Sequence, residues 1–404
     1  MFTPHETDRH EVSPVNLTMS RRGWLQALGA GAVFGGAAAA RAAESPGRLA
    51  SAGKRKIPTA HLLDRRVVFA HNERYVWNGC GAIAASKNAL VMSWYTGGPE
   101  EFHPLDRVVW SRSLDRGNTW SEPKLTADPP GDPRAADPML WHDANGVIHS
   151  TYGVSNTFEG PGKWQFFHQS CADPAADELT WSEPKRIDPA IPRDFGETFH
   201  CNTKPIELDN GELLVPIAVR TRPHPKPQHW EYRANGALIW SPDRTEWQVF
   251  RNRKEFPQSP YTDDRSMWLW ECTAFQRDDG TVAMYFRNSW GVLHASYSTD
   301  RGRTWSDYEP TVLVNPSART HVRKLPSGPV ICITNASMTS RRFLSMYISY
   351  DDGRHFTRLV ILEGVEDPVM YPDADLDPDG HTLHIFYENR KDIFYAPLDL
   401  RQVL

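Results

Sequence analysis

Residues 113–120 read Ser-Leu-Asp-Arg-Gly-Asn-Thr-Trp, and residues 298–305 read Ser-Thr-Asp-Arg-Gly-Arg-Thr-Trp. Both octamers follow the pattern S-x-D-x-G-x-T-W. The Asp side chain can accept hydrogen bonds from backbone N–H groups of its own turn, and the Gly adopts a backbone conformation that other residues resist. The aromatic residue can then pack beneath the turn. The pattern therefore predicts a self-contained turn between two strands that recurs along the chain.

Three weaker copies extend this repeat. Residues 349–356 keep the Ser, Asp and Gly but end in Phe, and residues 241–247 form a worn copy without the Gly. Residues 170–181 are read as a fifth copy that an insertion interrupts. Because such octamers occur in binding proteins as well as in enzymes, they predict a scaffold and no activity.

A second repeat, an apolar strand followed by a polar turn and another apolar strand, alternates with the first. Asn or Asp before Gly is the strongest short signal for a β-hairpin. Four such turns occur, at Asn145-Gly146, Asn210-Gly211, Asp279-Gly280 and Asp379-Gly380. Ser327-Gly328 and Lys87-Asn88, the latter without a Gly, mark two further hairpins, and the six turns are spaced by 48 to 69 residues. Each unit has room for a four-stranded blade, so we predict an all-β, six-bladed β-propeller over residues 66–404. A β-sandwich is the alternative.

Composition excludes several other classes of protein. The net charge is −5 with a pI of about 6.3, and the basic stripe typical of a nucleic-acid binder is missing. Five cysteines stand singly and form no CxxC pair, so neither a zinc site nor a disulfide framework is expected. The histidines show no metal-ligand spacing. We therefore expect no metal and no cofactor.

The N-terminal region resembles a twin-arginine (Tat) export signal. Arg21 and Arg22 precede a Gly- and Ala-rich apolar run, and residues 40–42 offer an A-x-A cleavage site. We interpret residues 1–18 as a polar extension, with Met19 as an alternative start, 19–42 as the signal peptide and 43–65 as a linker. The expected destination is the periplasm or the extracellular space, with no stable membrane insertion after the signal is removed.

Beyond the repeats, the chain from about residue 70 to its end resembles the sialidase (neuraminidase) superfamily, whose repeats are the BNR or Asp-box type. Residues 269–272, a hairpin and residues 286–289 resemble the segment in which a Glu opens one strand and an Arg closes the next. Residues 341–345 resemble the strand that carries an Arg before an Asp box. Residues 371–376 and 387–388 resemble the segment that carries the catalytic Tyr.

This resemblance implies a retaining exo-glycosidase that removes terminal sialic acid or a related acidic sugar from glycans. Tyr371 would be the nucleophile and Glu271 its base, since a phenol with an ordinary pKa of about 10 needs activation. Arg287 and Arg341 would bind the carboxylate on the anomeric carbon. Because strand side chains alternate, Arg342 could point inward in place of Arg341.

The family places the general acid in a loop of the first blade, which corresponds here to residues 95–106. Asp106 is the preferred acid, and His103, Glu100 and Glu101 remain alternatives. His103 is also a candidate for substrate binding.

The first blade departs from the family, whose first strand begins with Arg-Ile-Pro. Asn78 stands near the expected position of that Arg, where it could donate hydrogen bonds to substrate without a charge, and Arg74 could reach in from nearby. In the third blade, His200, Asn202 and Lys204 precede an inner strand and could line the central depression.

Two other functions fit the same fold. A polysaccharide lyase or another glycosidase would use His200 or His103 together with a Tyr as base and acid. A non-catalytic glycan-binding propeller is favoured by the missing first Arg. All three functions share one expected partner, a glycan or acidic sugar.

Overall fold

A computed structural model describes residues 63–101, 103–127, 134–155, 164–187, 198–221, 232–257, 269–363 and 368–404. These residues form six antiparallel sheets, each with its strands in nearly sequential order. The innermost strands pack around one axis, so the architecture is the predicted all-β, six-bladed β-propeller.

Blades one to three follow the hairpin units of the sequence. Blade one contains β2–β5 (Asn78–Ala85, Leu90–Thr96, Arg107–Ser113 and Lys124–Ala127). Blade two contains β6–β9 (Arg134–His142, Ile148–Ser155, Gln165–Cys171 and Lys185–Ile187). In blade three the innermost strand is split in two, and the sheet contains β10–β14 (Thr198–His200, Ile206–Glu207, Leu213–Arg220, Ala234–Trp240 and Trp247–Arg251).

Blades four to six complete the circle. Blade four contains β15–β18 (Trp270–Gln276, Val282–Arg287, Val292–Ser298 and Glu309–Val314). Blade five contains β19–β22 (His321–Lys324, Val330–Asn335, Leu344–Ser349 and Arg358–Glu363). Blade six contains β23–β25 (Met370–Leu376, Thr382–Glu388 and Ile393–Asp399), followed by the short 3₁₀ helix η1 (Leu400–Gln402).

The outermost strand of blade six comes from the other end of the propeller sequence. Strand β1 (Arg66–Phe69) pairs antiparallel with β25, Val67 opposite Phe394. The sheet order is therefore β1-β25-β24-β23. This pairing joins the first strand of the propeller to its last strand by hydrogen bonds, and it covers the edge of β25 that would otherwise be exposed.

Both sequence repeats occupy fixed places in the blades. The six predicted hairpin turns join the first and second strands of their blades. The octamers join the third and fourth strands. In the first octamer, Oδ1 of Asp115 accepts the Ser113 hydroxyl (2.8 Å) and the Thr119 amide (2.8 Å). Arg116 and Gly117 are both left-handed, with φ of 57° and 86°. The turn is thus stabilised by its own side chains.

The glycines of three octamers also abut the preceding blade. A Cβ placed on Gly302 of blade four would lie 2.6 Å from Cδ1 of Leu214 in blade three. Gly117 contacts Tyr395 of blade six and Gly353 contacts Phe275 of blade four in the same way. The octamers therefore help to set the spacing between blades.

Apolar side chains fill the spaces between neighbouring blades. All five cysteines are buried and form no disulfide. The predicted extension 1–18, the signal peptide 19–42 and nearly all of the linker 43–65 lie outside the described residues. Among the residues that are described, no helix has the length and apolar character needed to cross a membrane.

Candidate active site

One residue in the innermost strand of four blades has a left-handed backbone. These residues are Cys80 (φ 47°), Asp137 (φ 53°), Glu271 (φ 44°) and Tyr371 (φ 54°). The strand register shifts at each of them, so each lies in a β-bulge. A left-handed residue other than Gly costs roughly 1–3 kcal/mol and marks sites where the surrounding structure imposes it. Bulges re-aim side chains, and all four of these line one cavity.

That cavity lies at one end of the axis and has a volume of about 200 Å³. It is lined by residues from all six blades or their connecting loops. They are Cys80, Glu101, Asp137, Trp164, His200, Asn202, Trp270, Glu271, Arg287, Arg341, Tyr371 and Arg390.

A single guanidinium links the predicted nucleophile and base. Nη1 of Arg287 donates to Oε2 of Glu271 (2.7 Å) and to the hydroxyl oxygen of Tyr371 (3.3 Å). Within the described residues no hydrogen bond joins Glu271 and Tyr371 directly. Because the Tyr371 oxygen accepts a hydrogen bond from Arg287, its own proton is free to be directed at another acceptor.

Two buried polar residues hold this arrangement from behind. Asn202 donates its side-chain amide to the second carboxylate oxygen of Glu271 (3.0 Å). Arg319, almost completely buried, donates to the carbonyl oxygens of Tyr371 (3.0 Å), Asn202 (3.2 Å) and Gly81. Arg319 therefore links β2, β23 and the segment between β10 and β11 beneath the cavity.

Arg341 and Arg342 occupy different surroundings. Arg341 lines the cavity, donates to the Ser317 carbonyl (2.9 Å), and places its guanidinium carbon 5.0 Å from the centre of the Tyr371 ring. Arg342 is exposed and does not line the cavity. The inward arginine is therefore Arg341, and the alternative of an inward Arg342 is wrong; both residues lie in the loop before β21.

Burial raises the pKa of Tyr371, while the positive charges of Arg287 and Arg341 oppose that rise. The pKa of Arg287 is raised by its contacts with Glu271 and Tyr371, which outweigh its burial. The resting site therefore contains a neutral phenol beside fixed positive charge. A phenolate that formed there would be stabilised by both arginines.

The first-blade loop brings Glu101, and not Asp106, to the cavity. Oε1 of Glu101 accepts the Tyr95 hydroxyl (3.2 Å), and burial raises its pKa against the opposing charges of Arg390 and Arg287. Asp106 is fully buried outside the cavity, 4.0 Å from Arg134, and neither carboxylate oxygen has a hydrogen-bond partner within the described chain. The preference for Asp106 as a residue facing substrate does not fit this placement.

His200 lines the cavity as expected, but both of its ring nitrogens are engaged. The indole N–H of Trp270 points at Nδ1 (3.3 Å), and Nε2 lies 2.8 Å from Oδ2 of Asp137. Since an indole nitrogen can only donate, Nδ1 is the acceptor and Nε2 carries the proton that is shared with Asp137. His200 therefore positions the Asp137 carboxylate.

Three further candidates do not face the cavity. The Asn78 side chain donates to the carbonyls of Tyr75 (3.1 Å) and Lys391 (2.8 Å) and accepts from Trp94. His103 accepts the Leu105 amide within its own loop. Lys204 lies deeper along the axis and pairs with Asp373 (3.3 Å). Asn78 and His103 are thus corrected to structural positions.

Asp137 and Arg390 line the cavity but were missed by sequence reasoning. The sequence does contain a signal for Asp137, which is its distance from the hairpin turn of its blade. Five axis residues each stand nine positions before the glycine of their hairpin turn, and they are Asp137, Asn202, Glu271, Arg319 and Tyr371. In blade one, Ala89 stands in place of that glycine, and nine positions before it is Cys80, which identifies the axis residue as Cys80 and not Asn78. Arg390 lies in a loop after this register ends and carries no comparable signal.

No group of three potential metal-binding side chains occurs in the part of the chain that the structure describes. The chemistry available in the cavity is that of carboxyl groups, a phenol and guanidinium groups.

Residues 88–385 match the family described as BNR repeat-like domain. A comparison with curated proteins gave no match. Among solved structures, the chain is similar to the Hadza microbial sialidase Hz136, with 18% identity over 81% of this chain and 66% of the other and a TM-score of 0.64.

Two other structures extend this comparison. The Trypanosoma rangeli sialidase in complex with sialic acid has 12% identity over 83% of this chain and 58% of its own, with a TM-score of 0.65. A protein of unknown function from Dyadobacter fermentans has 18% identity over 83% of this chain and 99% of its own, with a TM-score of 0.65. The chain thus spans less than two thirds of the length of the two sialidases. At these identities the likeness shows a shared fold.

Proposed function

The chain belongs to the BNR repeat-like domain family and has the sialidase-type propeller fold, and from this premise we propose that it is a retaining glycoside hydrolase. Its substrate would be a glycan that ends in sialic acid or a related acidic sugar. The observation that carries the proposal is the shared hydrogen bonding of Glu271 and Tyr371 to Nη1 of Arg287 inside the axis cavity.

Tyr371 would attack the anomeric carbon. The Tyr371 hydroxyl proton passes to Glu271 as the oxygen forms its bond to that carbon, and the bond to the leaving oxygen breaks. A tyrosine suits this substrate class, since a carboxylate nucleophile would be repelled by the carboxylate of the sugar itself. Arg287 and Arg341, which oppose the burial-raised pKa of Tyr371, lower the cost of the developing phenolate.

Glu101 is the residue that we assign as general acid. Burial raises its pKa, which keeps a proton on the carboxyl group for transfer to the leaving oxygen. In the second step the ionised Glu101 would take a proton from water as the water oxygen attacks the anomeric carbon. The bond to Tyr371 then breaks, and the Tyr371 oxygen takes its proton back from Glu271. Asp137, held by His200, would accept a hydrogen bond from a hydroxyl or amide group of the sugar.

Covalent trapping tests the proposal. A structure of the Trypanosoma rangeli sialidase carries 2,3-difluorosialic acid as a covalent intermediate. The same reagent, incubated with this protein, is expected to add one sugar mass to the intact protein and to label the peptide that contains Tyr371. Tyr371→Phe should remove both the label and the hydrolysis of an aryl sialoside, with an unchanged melting temperature. A folded wild type that neither hydrolyses nor forms the adduct would overturn the proposal.

The non-catalytic glycan-binding alternative draws on one specific observation. Cys80 occupies the axis position of blade one and brings no charge for the sugar carboxylate. Sialic acid binding without hydrolysis or adduct would favour that alternative. The lyase alternative has less support, because both nitrogens of His200 are engaged and His103 lies outside the cavity.

Export through the Tat route remains part of the proposal and rests on residues 20–42 of the sequence. Replacing Arg21 and Arg22 together by Lys should retain the protein in the cytoplasm of a Tat-competent host. Fractionation of wild type and variant, with a Tat-deficient strain as control, measures this. Equal export of both proteins would contradict it.

A further inference from the structure

The guanidinium group of Arg390 is one of the groups that line the cavity. Within the described residues no hydrogen bond or ion pair engages it. Arg287 already uses donors on Glu271, Tyr371 and Ser317, and Arg341 uses donors on Ser317 and Met370. Since a guanidinium has five N–H donors, Arg390 has the largest number of donors left for a ligand.

The backbone of Arg390 is nevertheless fixed. It adopts a left-handed conformation with φ of 71°, and its N–H is accepted by the Glu388 carboxyl group. Asn389 accepts the amide of Asp392 (2.7 Å) in the same turn. A residue whose backbone is fixed and whose guanidinium donors are unused is suited to bind a ligand, because its backbone need not become ordered on binding.

The anchor joins Arg390 to the strand from which a charge is missing. The backbone N–H of Asn78 in β2 donates to the Arg390 carbonyl (3.1 Å), two residues before Cys80. Burial raises the pKa of the Cys80 thiol well above its ordinary value, so this side chain is uncharged. The loop between β24 and β25 thus places a positively charged side chain on the side of the cavity where blade one has no charged axis residue.

Two acids, Glu101 and Glu388, lie close to Arg390. Burial raises the pKa of Glu388 to about 8, which leaves it mostly protonated at neutral pH. Glu101 is the other acid close to Arg390, and it too has a raised pKa.

We propose that Arg390 binds the anomeric carboxylate of the substrate together with Arg287 and Arg341, as the third arm of a clamp that reaches the cavity from blade six. This inference rests on the proposed function and specifies how the site recognises its acidic sugar. Planar, bidentate pairing with a carboxylate is the geometry that a free guanidinium favours.

Binding of two matched probes tests this inference independently of turnover. N-Acetylneuraminic acid carries the carboxylate, and its methyl ester lacks the charge. We expect the wild type to bind the acid more tightly than the ester in calorimetric titrations, and Arg390→Gln to reduce affinity for the acid by about tenfold, the order of one charge-assisted hydrogen bond. Affinity for the ester should change little. Arg358→Gln, an exposed arginine on the outer strand of blade five, should keep the wild-type ratio.

Each outcome decides one of the two proposals. If the wild type discriminates between the probes and folded Arg390→Gln discriminates equally, the role of Arg390 is overturned and the proposed function stands. If the wild type binds neither probe, the proposed function fails. Should Arg390→Gln not fold, Arg390→Lys keeps the charge and loses the planar pair of N–H donors. Its affinity for the acid is expected to lie between the affinities of the wild type for the acid and for the ester. An unchanged affinity in folded Arg390→Lys would count against bidentate binding.

Discussion

Arg287 and Glu271 form an ion pair across the first hairpin of blade four, with Nη1 2.7 Å from Oε2. In the sheet register the residue opposite Arg287 is Trp270, and Glu271 is the bulged residue that follows. The bulge is therefore what turns the Glu271 carboxylate into the cavity and toward its partner.

Glu271→Gln is expected to lower kcat/KM for an aryl sialoside by a factor of roughly 10² to 10⁴, the usual contribution of a positioned base. Because the amide removes the negative partner of Arg287, the free energy of unfolding should fall by about 1–3 kcal/mol. Kinetics and denaturant unfolding measure the two effects. Glu122→Gln, exposed between β4 and β5, is the matched control, and a Glu271→Gln enzyme with wild-type kcat/KM would contradict the assignment.

Glu101→Gln should reveal the general acid through the leaving group. A substrate with a poor leaving group needs protonation, whereas a nitrophenyl leaving group needs little. We expect hydrolysis of a sialyl disaccharide to fall far more than hydrolysis of the nitrophenyl sialoside. Asp106→Asn should keep the wild-type ratio of the two rates. The opposite pattern in these two variants would return the role of acid to Asp106.

Asp106→Asn should instead alter the pH dependence of stability. Burial raises the pKa of Asp106 from its ordinary value of 3.8 to about 7, and Arg134 opposes part of that rise. Folding therefore favours the protonated carboxyl, and its contribution is fully present below pH 3.8 and lost as the pH rises toward 7, at up to about 1.4 kcal/mol per unit. Asp106→Asn lacks this decrease in the free energy of unfolding, because its amide does not titrate. Its stability relative to wild type should increase from pH 4 to pH 7 in denaturant titrations, and a pH-independent difference would refute the argument.

Gly302→Ala tests the contact between an octamer and the preceding blade. Gly302 has φ of 90° and a Cβ there would lie 2.6 Å from Leu214, whereas Gly380 has φ of 77° with open space around it. Both substitutions incur the left-handed backbone cost of about 1–2 kcal/mol, and only Gly302→Ala adds about 1–3 kcal/mol of overpacking. Thermal melts should show the larger loss for Gly302→Ala. Equal losses would mean that the octamer glycine is needed for its turn alone.

Much of the fold can be predicted from the sequence because the turn signals that specify it are local. An Asp-Gly or Asn-Gly turn forms within a few residues, as does the Ser113–Asp115–Thr119 hydrogen bonding of an octamer. Since one polar hairpin turn recurs in each blade, and four of the six are Asn-Gly or Asp-Gly, their number and spacing predict six blades. The nine-residue register before each turn extends this to the axis residues, and it would have identified Asp137 and Cys80.

Other parts of the site depend on contacts between distant segments. Asn78 lies in the first strand of its blade, yet its side-chain amide donates a hydrogen bond to the carbonyl of Lys391, 313 residues away. Asp106 and Glu101 are five residues apart in one loop, and only the path of that loop decides which is buried and which lines the cavity. Residue type and spacing do not distinguish such cases.

The sequence by itself determined the repeat, the all-β class and the number of blades, because each depends on turn chemistry and hairpin spacing. The set Glu271, Arg287, Arg341 and Tyr371 was expected from the resemblance to sialidases, and the structure brings its members to one cavity. Only the tertiary structure decided that β1 closes blade six, that Glu101 faces the cavity and that Arg390 reaches it beside Cys80. These features arise where the circle of blades closes and residues about 300 positions apart come into contact. No local pattern encodes that geometry, since it is fixed by the packing of all six blades around the axis.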